Sequence, residues 1–519
     1  MVEPPTDETT MRMLYLVFDE DQLGEDFVRW LANVVKVFPS LATRPFYLTG
    51  ESYAGVYIPY ITKVIFSTPN PPVKLSKIAI GDGSLGSFPG VEEISTVTTL
   101  ETYPQIINFD QEVFQYFREQ THLCGYDINL TYPQTGGHFA SLKSPFDIPH
   151  NSRIVFGGAR SGGNLDLDYK SRAASVSALV KRADHARRLE GKSKRQTHNP
   201  DGLTLDQWKQ DHLSKGVLNP DYGCFLWEEM TDFATNFTFP WSQGDFDPYD
   251  IPDALNPEVP ADPTVFLNDR RTRAAVHAPD KNWARSFPFP FGNSTDTTPA
   301  GNPFGDLSVE PAAFMSELAA NASQNNVGIV IYEGNADSLV ARFGAEVAIQ
   351  NTTFGGTQGF SRRPATPFPG GFGLIHQERN VTYAVFRDAG HFVPRSLPEA
   401  SFIFLREFIL GNNSTGLVTD DGGTVTVVGG EDPTLSGPFM PADTAAIFYG
   451  SLKTESSSFA PSATIAQWRS FLATATKTDS QAQSTAQGGN GAAGVVAGAS
   501  RTLIVTIVGL TTAWNTFKL

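Results

Sequence analysis

Short apolar runs alternate with amphipathic segments along the chain, and this alternation predicts a mostly parallel α/β sheet. The runs typical of buried strands are 13–18 (MLYLVF), 46–48 (FYL), 77–83 (KIAIGDG), 328–332 (GIVIY) and 382–386 (TYAVF). Helical patterns cover 25–38, the residues from about Tyr53 onward, 312–322 and 400–410. In such sheets, functional sites form at the carboxyl ends of the strands.

The helix predicted at 25–38 has an apolar face and a proline stop. Pro39 is expected to end this helix. The residues expected to face the core are Phe27, Trp30, Leu31, Val34, Val35 and Phe38.

The composition is typical of a globular protein with a sizeable core. It has 519 residues, of which 40% are hydrophobic and 18% charged, and its formal net charge is -16 at pH 7. Proteins that bind nucleic acid usually carry basic patches to displace counterions, so this charge argues against a nucleic-acid partner. An acidic protein of an acidic compartment is the simpler interpretation.

Sequons and cysteines favour the secretory pathway. N-x-S/T sequons without a middle proline are at Asn129, Asn236, Asn293, Asn321, Asn351, Asn380, Asn412 and Asn413. The two cysteines, Cys124 and Cys224, would form one disulfide in an oxidising compartment and two unrelated buried thiols in the cytosol. The sequons favour the disulfide. The first ten residues, MVEPPTDETT, lack the basic start and apolar core of a signal peptide.

A basic, Gly/Ser-rich segment covers residues 151–195. It contains the dibasic pairs Lys181-Arg182, Arg187-Arg188 and Lys194-Arg195. Its composition predicts a disordered surface insertion, and the alternative is a linker that is cut after a dibasic pair.

The end of the chain, from about Thr454, is rich in Ser, Thr and Ala and finishes in an apolar run at 503–514. This run is short for a membrane span of about 20 residues. Small residues from Asn490 to Ala492, a spacer of about ten residues and the hydrophobic end predict a GPI-attachment signal, with Asn490 as candidate attachment residue. A single membrane helix or a plain disordered tail are the alternatives.

Residues 50–55, GESYAG, are the strongest chemical signal in the sequence. A serine hydroxyl is a poor nucleophile unless a base takes its proton and an acid orients that base. A motif of the G-x-S-x-G type at a strand-to-helix turn lets the serine adopt a strained backbone and present its hydroxyl above the sheet. The motif therefore predicts Ser52 as a nucleophile, and the helix N-terminus that follows suits a developing oxyanion.

The acid and the histidine follow in the order that an α/β hydrolase requires. Asp337 lies in the turn after GIVIY, and His391 lies in the turn after TYAVF. Glu333 and Asp388 are neighbouring acids that compete with Asp337, and each of these residues could instead be structural.

Three blocks, FYLTGESYAGVYIPYI, YEGNADSLVARFG and VFRDAGHFVPRSLPEAS, resemble the signatures of the serine carboxypeptidases, a family of α/β hydrolases. The resemblance covers roughly residues 20 to 415. It implies Ser52 as nucleophile, His391 as general acid/base and Asp337 as its orienting acid, with the Tyr53 N–H in the oxyanion hole. Glu51 resembles the glutamate that binds the substrate's terminal carboxylate by sharing a proton, although capping the next helix is its alternative.

The resemblance also implies the overall architecture and the partners. It predicts an α/β-hydrolase domain over 1–415 that lacks the first strands, with a helical lid at about 100–300 that includes the 151–195 segment and the cysteine bridge. A C-terminal extension at 416–453, the Ser/Thr/Ala-rich stretch at 454–489 and the tail at 490–519 follow. Peptides with a free C-terminus are the expected partners, no cofactor or metal ion is implied, and the expected location is the cell surface, the exterior or the vacuole.

Two departures from the family pattern bear on activity. No Asn-Gly-Gly-Pro-Gly loop, which in the family gives the second oxyanion donor, precedes Ser52, and PGGFG at 369–373 is no substitute. Losing one such donor costs about 3 kcal/mol of transition-state stabilisation, so we expect an N-terminally truncated and impaired enzyme. Val340 stands where the family often has a cysteine. An acyltransferase of the same chemistry and a non-catalytic cell-surface protein are the alternatives to a carboxypeptidase.

Overall fold

A computed structural model of the chain describes residues 19–149, 203–213, 216–239, 241–242, 246–253, 264–278, 281–283, 308–368 and 372–411. It also describes the backbone of four short strands between residues 418 and 459. The chain divides into two units, Met1–Ala473 and Thr474–Leu519, and the second lies outside the described residues.

The described β-strands are β1 (Pro45–Glu51), β2 (Lys74–Gly81), β3 (Gly328–Gly334), β4 (Thr353–Phe354), β5 (Thr357–Gln358), β6 (Thr366–Pro367), β7 (Gly373–Glu378), β8 (Val381–Phe386), β9 (Val418–Asp421), β10 (Thr424–Val427), β11 (Phe448–Tyr449) and β12 (Ser458–Phe459).

Six of these strands form one sheet in the order β1-β2-β3-β8-β7-β6. Strands β1, β2, β3 and β8 are mutually parallel, whereas β7 is antiparallel to β8 and β6 to β7. The prediction of a mostly parallel α/β sheet is confirmed.

Helices connect and cover these strands. The α-helices are α1 (Glu20–Val37), α2 (Ala54–Ser67), α3 (Phe88–Val91), α4 (Thr96–Thr102), α5 (Gln111–Cys124), α6 (Leu205–His212), α7 (Leu226–Phe237), α8 (Thr264–Asn268), α9 (Arg270–Ala275), α10 (Met315–Gln324), α11 (Arg342–Asn351), α12 (Val393–Ser396) and α13 (Pro398–Phe404). A π-helical turn, Leu405–Ile409, follows α13, and 3₁₀ turns are at Pro39–Ala42, Glu93–Ser95, Pro104–Ile107, Pro145–Asp147 and Pro311–Ala313.

Strands β2, β3 and β8 are largely buried, as expected of a sheet between two helical layers, whereas the edge strand β1 is mostly half-buried or exposed. Ile78 and Ile80 of β2 pack with Ile58 and Ile61 of α2 in one cluster. Successive side chains of a strand point to opposite faces, so Ala79 belongs to a second cluster, which contains Phe404 and Phe408. The sheet is therefore held from both sides, and the carboxyl ends of its parallel strands lie on one edge.

Helix α1 begins five residues earlier than its apolar pattern predicted. Asp19 caps it, because its side chain accepts a hydrogen bond from the backbone N–H of Gln22 (2.8 Å). The predicted core face was only partly right: Leu31 is buried, but Trp30 and Phe38 are 56% and 59% exposed. Helix α1 packs against α2 through the side that also carries Val28, which periodicity alone did not identify.

The segment between β2 and β3 contains mainly helices in its described part, and a disulfide joins two of its elements. Cys124 at the end of α5 bonds to Cys224 just before α7, across a sequence separation of 100 residues. Trp208 of α6 packs edge-on against Tyr116 of α5 and Phe233 of α7, with ring centroids 5.5 and 4.9 Å away. These contacts tie helices α5, α6 and α7 together.

Several predicted features fall outside the described residues. These are the strand at 13–18, the 151–195 segment, PGGFG in part, and the tail with Asn490. Among the helices that the structure describes, none combines the length and the apolar character needed to span a bilayer.

Candidate active site

Ser52 occupies a strained turn between strand β1 and helix α2. Its φ is +62°, a conformation that costs energy for a residue with a side chain. The Ser52 N–H donates to the Gly81 carbonyl (2.8 Å), and its carbonyl accepts from the N–H groups of Gly55 (2.9 Å) and Ser84 (3.0 Å). The end of β2 and the loop after it therefore hold this turn in place.

The two glycines beside Ser52 are required by close packing. A Cβ at Gly55 would lie 2.4 Å from the Ser84 nitrogen and 2.7 Å from the Gly83 carbonyl carbon, and a Cβ at Gly50 would lie 2.5 Å from that of Ala54. A side chain at Gly55 would push the turn away from the loop after β2, and one at Gly50 would push the end of β1 away from the start of α2. This is the physical reason for the glycine-rich motif.

Asp337 and His391 form a buried hydrogen-bonded pair. The distance between Oδ2 of Asp337 and Nδ1 of His391 is 2.6 Å, and both residues are 2% exposed. The other oxygen of Asp337, Oδ1, accepts from the N–H groups of Leu339 (2.8 Å) and Val340 (3.2 Å). Asp337 follows β3 and His391 follows β8, neighbouring parallel strands, so the sheet brings together residues 54 positions apart.

Of the three acids that the sequence offered, Asp337 is the one bonded to His391. Glu333 is fully buried on β3 and makes no hydrogen bond to the histidine within the described residues. Asp388 is exposed and lies 3.5 Å from the Arg387 guanidinium.

Electrostatics within the pair favour the imidazolium ion. Burial alone lowers the pKa of His391, but the charge and hydrogen bond of Asp337 outweigh it, so the pKa is raised above its ordinary value. A histidine whose charged form is stabilised in this way accepts a proton readily.

Glu51 directly precedes Ser52 in the chain. It is the last residue of β1, and burial raises its pKa, with His391 opposing the shift and Asp337 adding to it. The Ser52 N–H bonds to Gly81, and the next residue, Asp82, has a ligand atom within 4.8 Å of atoms of Asp337 and His391, so the end of β1 lies near this pair.

Tyr53 is anchored by a residue that the sequence did not single out. Its hydroxyl donates to Oε1 of the buried Glu20 at the start of α1 (3.2 Å), and its ring packs edge-on against Tyr57 at 4.9 Å. Helix α1 therefore supports the residue that follows Ser52.

Residues 246–253 form a strap over both loops of the pair, and sequence patterns gave no sign of it. The carbonyl of Pro248 accepts from the Ser338 N–H, and that of Tyr249 accepts from the His391 N–H. The Ile251 N–H donates to the carbonyl of Ala336. This clamping fixes the Asp337 and His391 loops relative to each other.

Asp82 is a second residue that sequence reasoning missed, although its position directly after β2 was a signal. It is fully buried, and one ligand atom each of Asp82, Asp337 and His391 lie within 4.8 Å of one another. Such a trio could hold a metal ion, but Nδ1 of His391 is already bonded to Asp337. We interpret the three as an acid–base group.

Of the eight predicted glycosylation sites, five lie in the described part of the chain. Asn129 and Asn380 are exposed, and Asn236, Asn321 and Asn351 are partly buried, whereas Asn293, Asn412 and Asn413 lie outside the described residues. The Oδ1 atom of Asn351 accepts from the Phe139 N–H (2.8 Å), and Nδ2 of Asn380 donates to the Val327 carbonyl (2.5 Å).

Comparison with known proteins identifies the class. The family model described as serine carboxypeptidase matches residues 8–121 and 250–411, which is more than half of the chain. The chain therefore belongs to the serine carboxypeptidase family, and the resemblance carried by its three sequence blocks is confirmed.

Individual relatives carry the same description. A carboxypeptidase Y homolog of Arthroderma benhamiae is 28% identical over 397 residues, which is 73% of this chain and 69% of the relative. The serine-type carboxypeptidase F of Aspergillus niger is 22% identical over 76% of this chain and 66% of its own length. The crystal structure of Kex1(delta)p, a prohormone-processing carboxypeptidase of Saccharomyces cerevisiae, has a TM-score of 0.43 and 15% identity, covering 81% of this chain and 71% of that one. The chain thus spans about two thirds of the length of these relatives.

Proposed function

We propose that this chain hydrolyses the C-terminal peptide bond of peptides, with Ser52 as nucleophile, His391 as general base and acid, and Asp337 as the residue that orients His391. The observation that carries the proposal is the 2.6 Å hydrogen bond between Asp337 and His391. Membership of the serine carboxypeptidase family supports it independently.

The mechanism follows from the chemistry of the three residues. The Ser52 hydroxyl attacks the scissile carbonyl carbon and passes its proton to Nε2 of His391, while Nδ1–H remains bonded to Asp337. His391 then gives the proton to the leaving amino acid, and an ester on Ser52 remains. Water, deprotonated by His391, hydrolyses that ester and regenerates the serine.

Two further groups bind the substrate in this proposal. The Tyr53 N–H, at the start of helix α2, donates to the oxyanion, and the helix dipole adds positive potential there. Glu51 binds the free carboxylate of the substrate by sharing a proton, which its raised pKa favours. A free C-terminus is then required, because an amide cannot share a proton in the same way.

A labelling experiment tests the nucleophile, and a substrate pair tests the specificity. A fluorophosphonate should modify Ser52, as read by mass spectrometry, and Ser52→Ala should abolish the adduct. A blocked dipeptide with a free carboxyl should be cleaved in preference to its C-terminal amide. A folded chain without an adduct at Ser52 would favour a non-catalytic protein, whereas transfer to an added alcohol in excess of hydrolysis would favour the acyltransferase.

The proposal includes slow turnover for a chain of these 519 residues. They contain no Asn-Gly-Gly-Pro-Gly sequence, and the absence of one oxyanion donor typically lowers turnover by about 10²–10³-fold. A form with such a loop placed before residue 19 should turn over faster by that order. Equal rates would contradict this part of the proposal.

Location and processing also belong to the proposal. The sequons and the Cys124–Cys224 disulfide support a location in the secretory pathway, at the cell surface, outside the cell or in the vacuole. The segment between β2 and β3 serves as a lid over the site.

The 490–519 tail serves as a GPI signal. Release by a phosphatidylinositol-specific phospholipase would support the anchor, and release by detergent alone would favour a membrane helix.

A further inference from the structure

Asp82 is fixed between the ends of the neighbouring strands β2 and β3, with one ligand atom within 4.8 Å of atoms of Asp337 and His391. Its N–H donates to the Tyr332 carbonyl (2.8 Å), and its Oδ1 accepts from the Gly334 N–H (2.7 Å). Its φ of +41° is unusual for a residue with a side chain. The carboxyl group is thus held rigidly, without exposure to solvent.

Glu333 adds a second acid to the same place. It is fully buried on β3, one residue from the Gly334 amide that bonds Asp82. Neither of its carboxyl oxygens, nor Oδ2 of Asp82, makes a hydrogen bond within the described chain, although the Gly83 amide lies close enough to favour the Glu333 anion. Buried carboxylates with so few donors are costly, so the charge state of these two groups needs an explanation.

The charged groups around Asp82 and Glu333 are mostly acidic. Those that face them come from β1, β3, the loops after β3 and β8, and helix α11, and they are Glu51, Tyr332, Asp337, His391, Arg342 and Glu346. Arg342 is engaged by Glu346 (2.7 Å) and by Oδ1 of Asn335 (3.2 Å). His391 thus faces the buried carboxyl groups of Asp337 and Asp82, with Glu51 and Asp247 as further acids acting on it, whereas Glu333 faces Asp82 and Asp337.

Carboxyl groups this close to one another cannot all be ionised in a buried site, because their negative charges repel. Asp337 is the member best able to carry the charge, because it accepts from two backbone N–H groups and from His391. Within the described residues, the Asp82 carboxyl group accepts from one N–H. Burial, together with the neighbouring acids, raises the pKa of both Asp82 and Glu333 well above the ordinary range.

We propose that Asp82 and Glu333 are positioning residues held as uncharged carboxylic acids, which leave Asp337 as the single anion of this buried group and so reserve its charge for His391. This inference rests on the proposed function, since it deepens the account of the same site. It implies that ionisation of either acid would raise the pKa of His391. The histidine would then act as a base only at higher pH.

The test compares Asp82→Asn and Glu333→Gln with the unchanged chain. Each amide is nearly isosteric and permanently neutral, and Asp82→Asn keeps a side-chain oxygen for the Gly334 N–H. The His391 pKa is measured by NMR on histidine-labelled protein, with His391→Gln used to assign the resonance. The pH profile of fluorophosphonate labelling at Ser52 gives a second measurement of the same pKa.

Neutral acids predict a specific pair of results. The His391 pKa and the acidic limb of the labelling profile should move by less than about 0.3 units in Asp82→Asn. Unfolding of the unchanged chain should release one more proton than unfolding of the variant, so their unfolding equilibrium constants diverge about tenfold per pH unit above pH 4 to 5. Asp82→Ala, which loses the acceptor for Gly334, should not reproduce Asp82→Asn.

An ionised Asp82 predicts the opposite. Removing an anion within 4.8 Å of His391 would lower the histidine pKa by about one unit or more, and no additional proton would be released on unfolding. Either result overturns the inference. If Asp82→Asn does not fold, Glu333→Gln gives the same two measurements. Absence of labelling at Ser52 in the unchanged chain would instead count against the proposed function, because the NMR and unfolding results do not depend on catalysis.

Discussion

The backbone N–H of His391 donates a 2.8 Å hydrogen bond to the carbonyl oxygen of Tyr249, and the Tyr249 ring lies 4.8 Å from the imidazole. The strap thus contacts the candidate catalytic histidine through both backbone and side chain. The backbone bond survives any substitution at Tyr249, whereas the ring contact does not. This separation allows the two contributions to be measured apart.

Replacing Tyr249 by Ala should slow fluorophosphonate labelling of Ser52 by about 2- to 10-fold. An aromatic contact of this kind contributes about 0.5–1.5 kcal/mol, and its loss leaves the imidazole less well ordered. Tyr249→Phe keeps the ring and should label at close to the original rate. An equal loss of labelling rate in both variants would show that the Tyr249 hydroxyl, and not its ring, supports His391.

Asp337→Asn should reduce the labelling rate of Ser52 by about 10⁴-fold. The amide keeps the geometry but favours the wrong tautomer of His391 and removes the charge that stabilises the imidazolium ion. Asp388→Asn is the matched control, because Asp388 is an exposed acid three residues before the histidine. A similar loss in both variants would contradict the assignment of Asp337.

Gly55→Ala should destabilise the fold by about 1–3 kcal/mol and displace Ser52, because its Cβ would lie 2.4 Å from the Ser84 nitrogen. Denaturant unfolding and the labelling rate should both report the change. Gly86→Ala is the control, since a Cβ there would meet no atom within 4 Å. Comparable losses in the two variants would show that close packing is not the reason for Gly55.

Glu229 should make the chain less stable as the pH rises. It accepts hydrogen bonds from the Tyr116 hydroxyl and the Asn219 amide, both 2.6 Å away, and burial raises its pKa to about 8. Because the folded pKa exceeds the unfolded value of about 4.5, this stabilising contribution is complete below pH 4.5 and is lost as the pH rises towards 8.

Glu229→Gln should therefore flatten the dependence of the unfolding midpoint on pH between 4.5 and 8. Urea unfolding at several pH values measures it. Glu317→Gln, the same change at an exposed position of α10, should retain the original slope. An unchanged slope in Glu229→Gln would mean that this carboxyl group does not hold a proton in the folded state.

Removing the disulfide should cost about 2–5 kcal/mol, because it closes a long loop in the unfolded chain. Reduced protein and the Cys124→Ser/Cys224→Ser variant should unfold at lower denaturant concentration by similar amounts. The reducing agent should have no effect on the double variant. A variant as stable as the oxidised chain would exclude this role.

The amino-acid sequence by itself determined the local parts of this protein. Short apolar runs located β1, β2, β3 and β8, and the order of Ser52, Asp337 and His391 along the chain indicated the chemistry. Helix α1 was misplaced at its start, because Asp19 capping is a contact of one side chain and not a periodic signal. The antiparallel β7 was missed, since its six residues acquire their meaning only from pairing with β8.

The tertiary structure alone decided which residues meet. Strand β8 lies beside β3 although about 50 residues separate them, and this pairing selects Asp337 over Glu333 and Asp388 as the partner of His391. The same packing buries Asp82 and Glu333 and brings the Tyr249 ring to 4.8 Å from the imidazole. Local propensity specifies strands and turns, but the contacts that set charge and geometry join distant segments, and only the packing of the sheet brings those segments together.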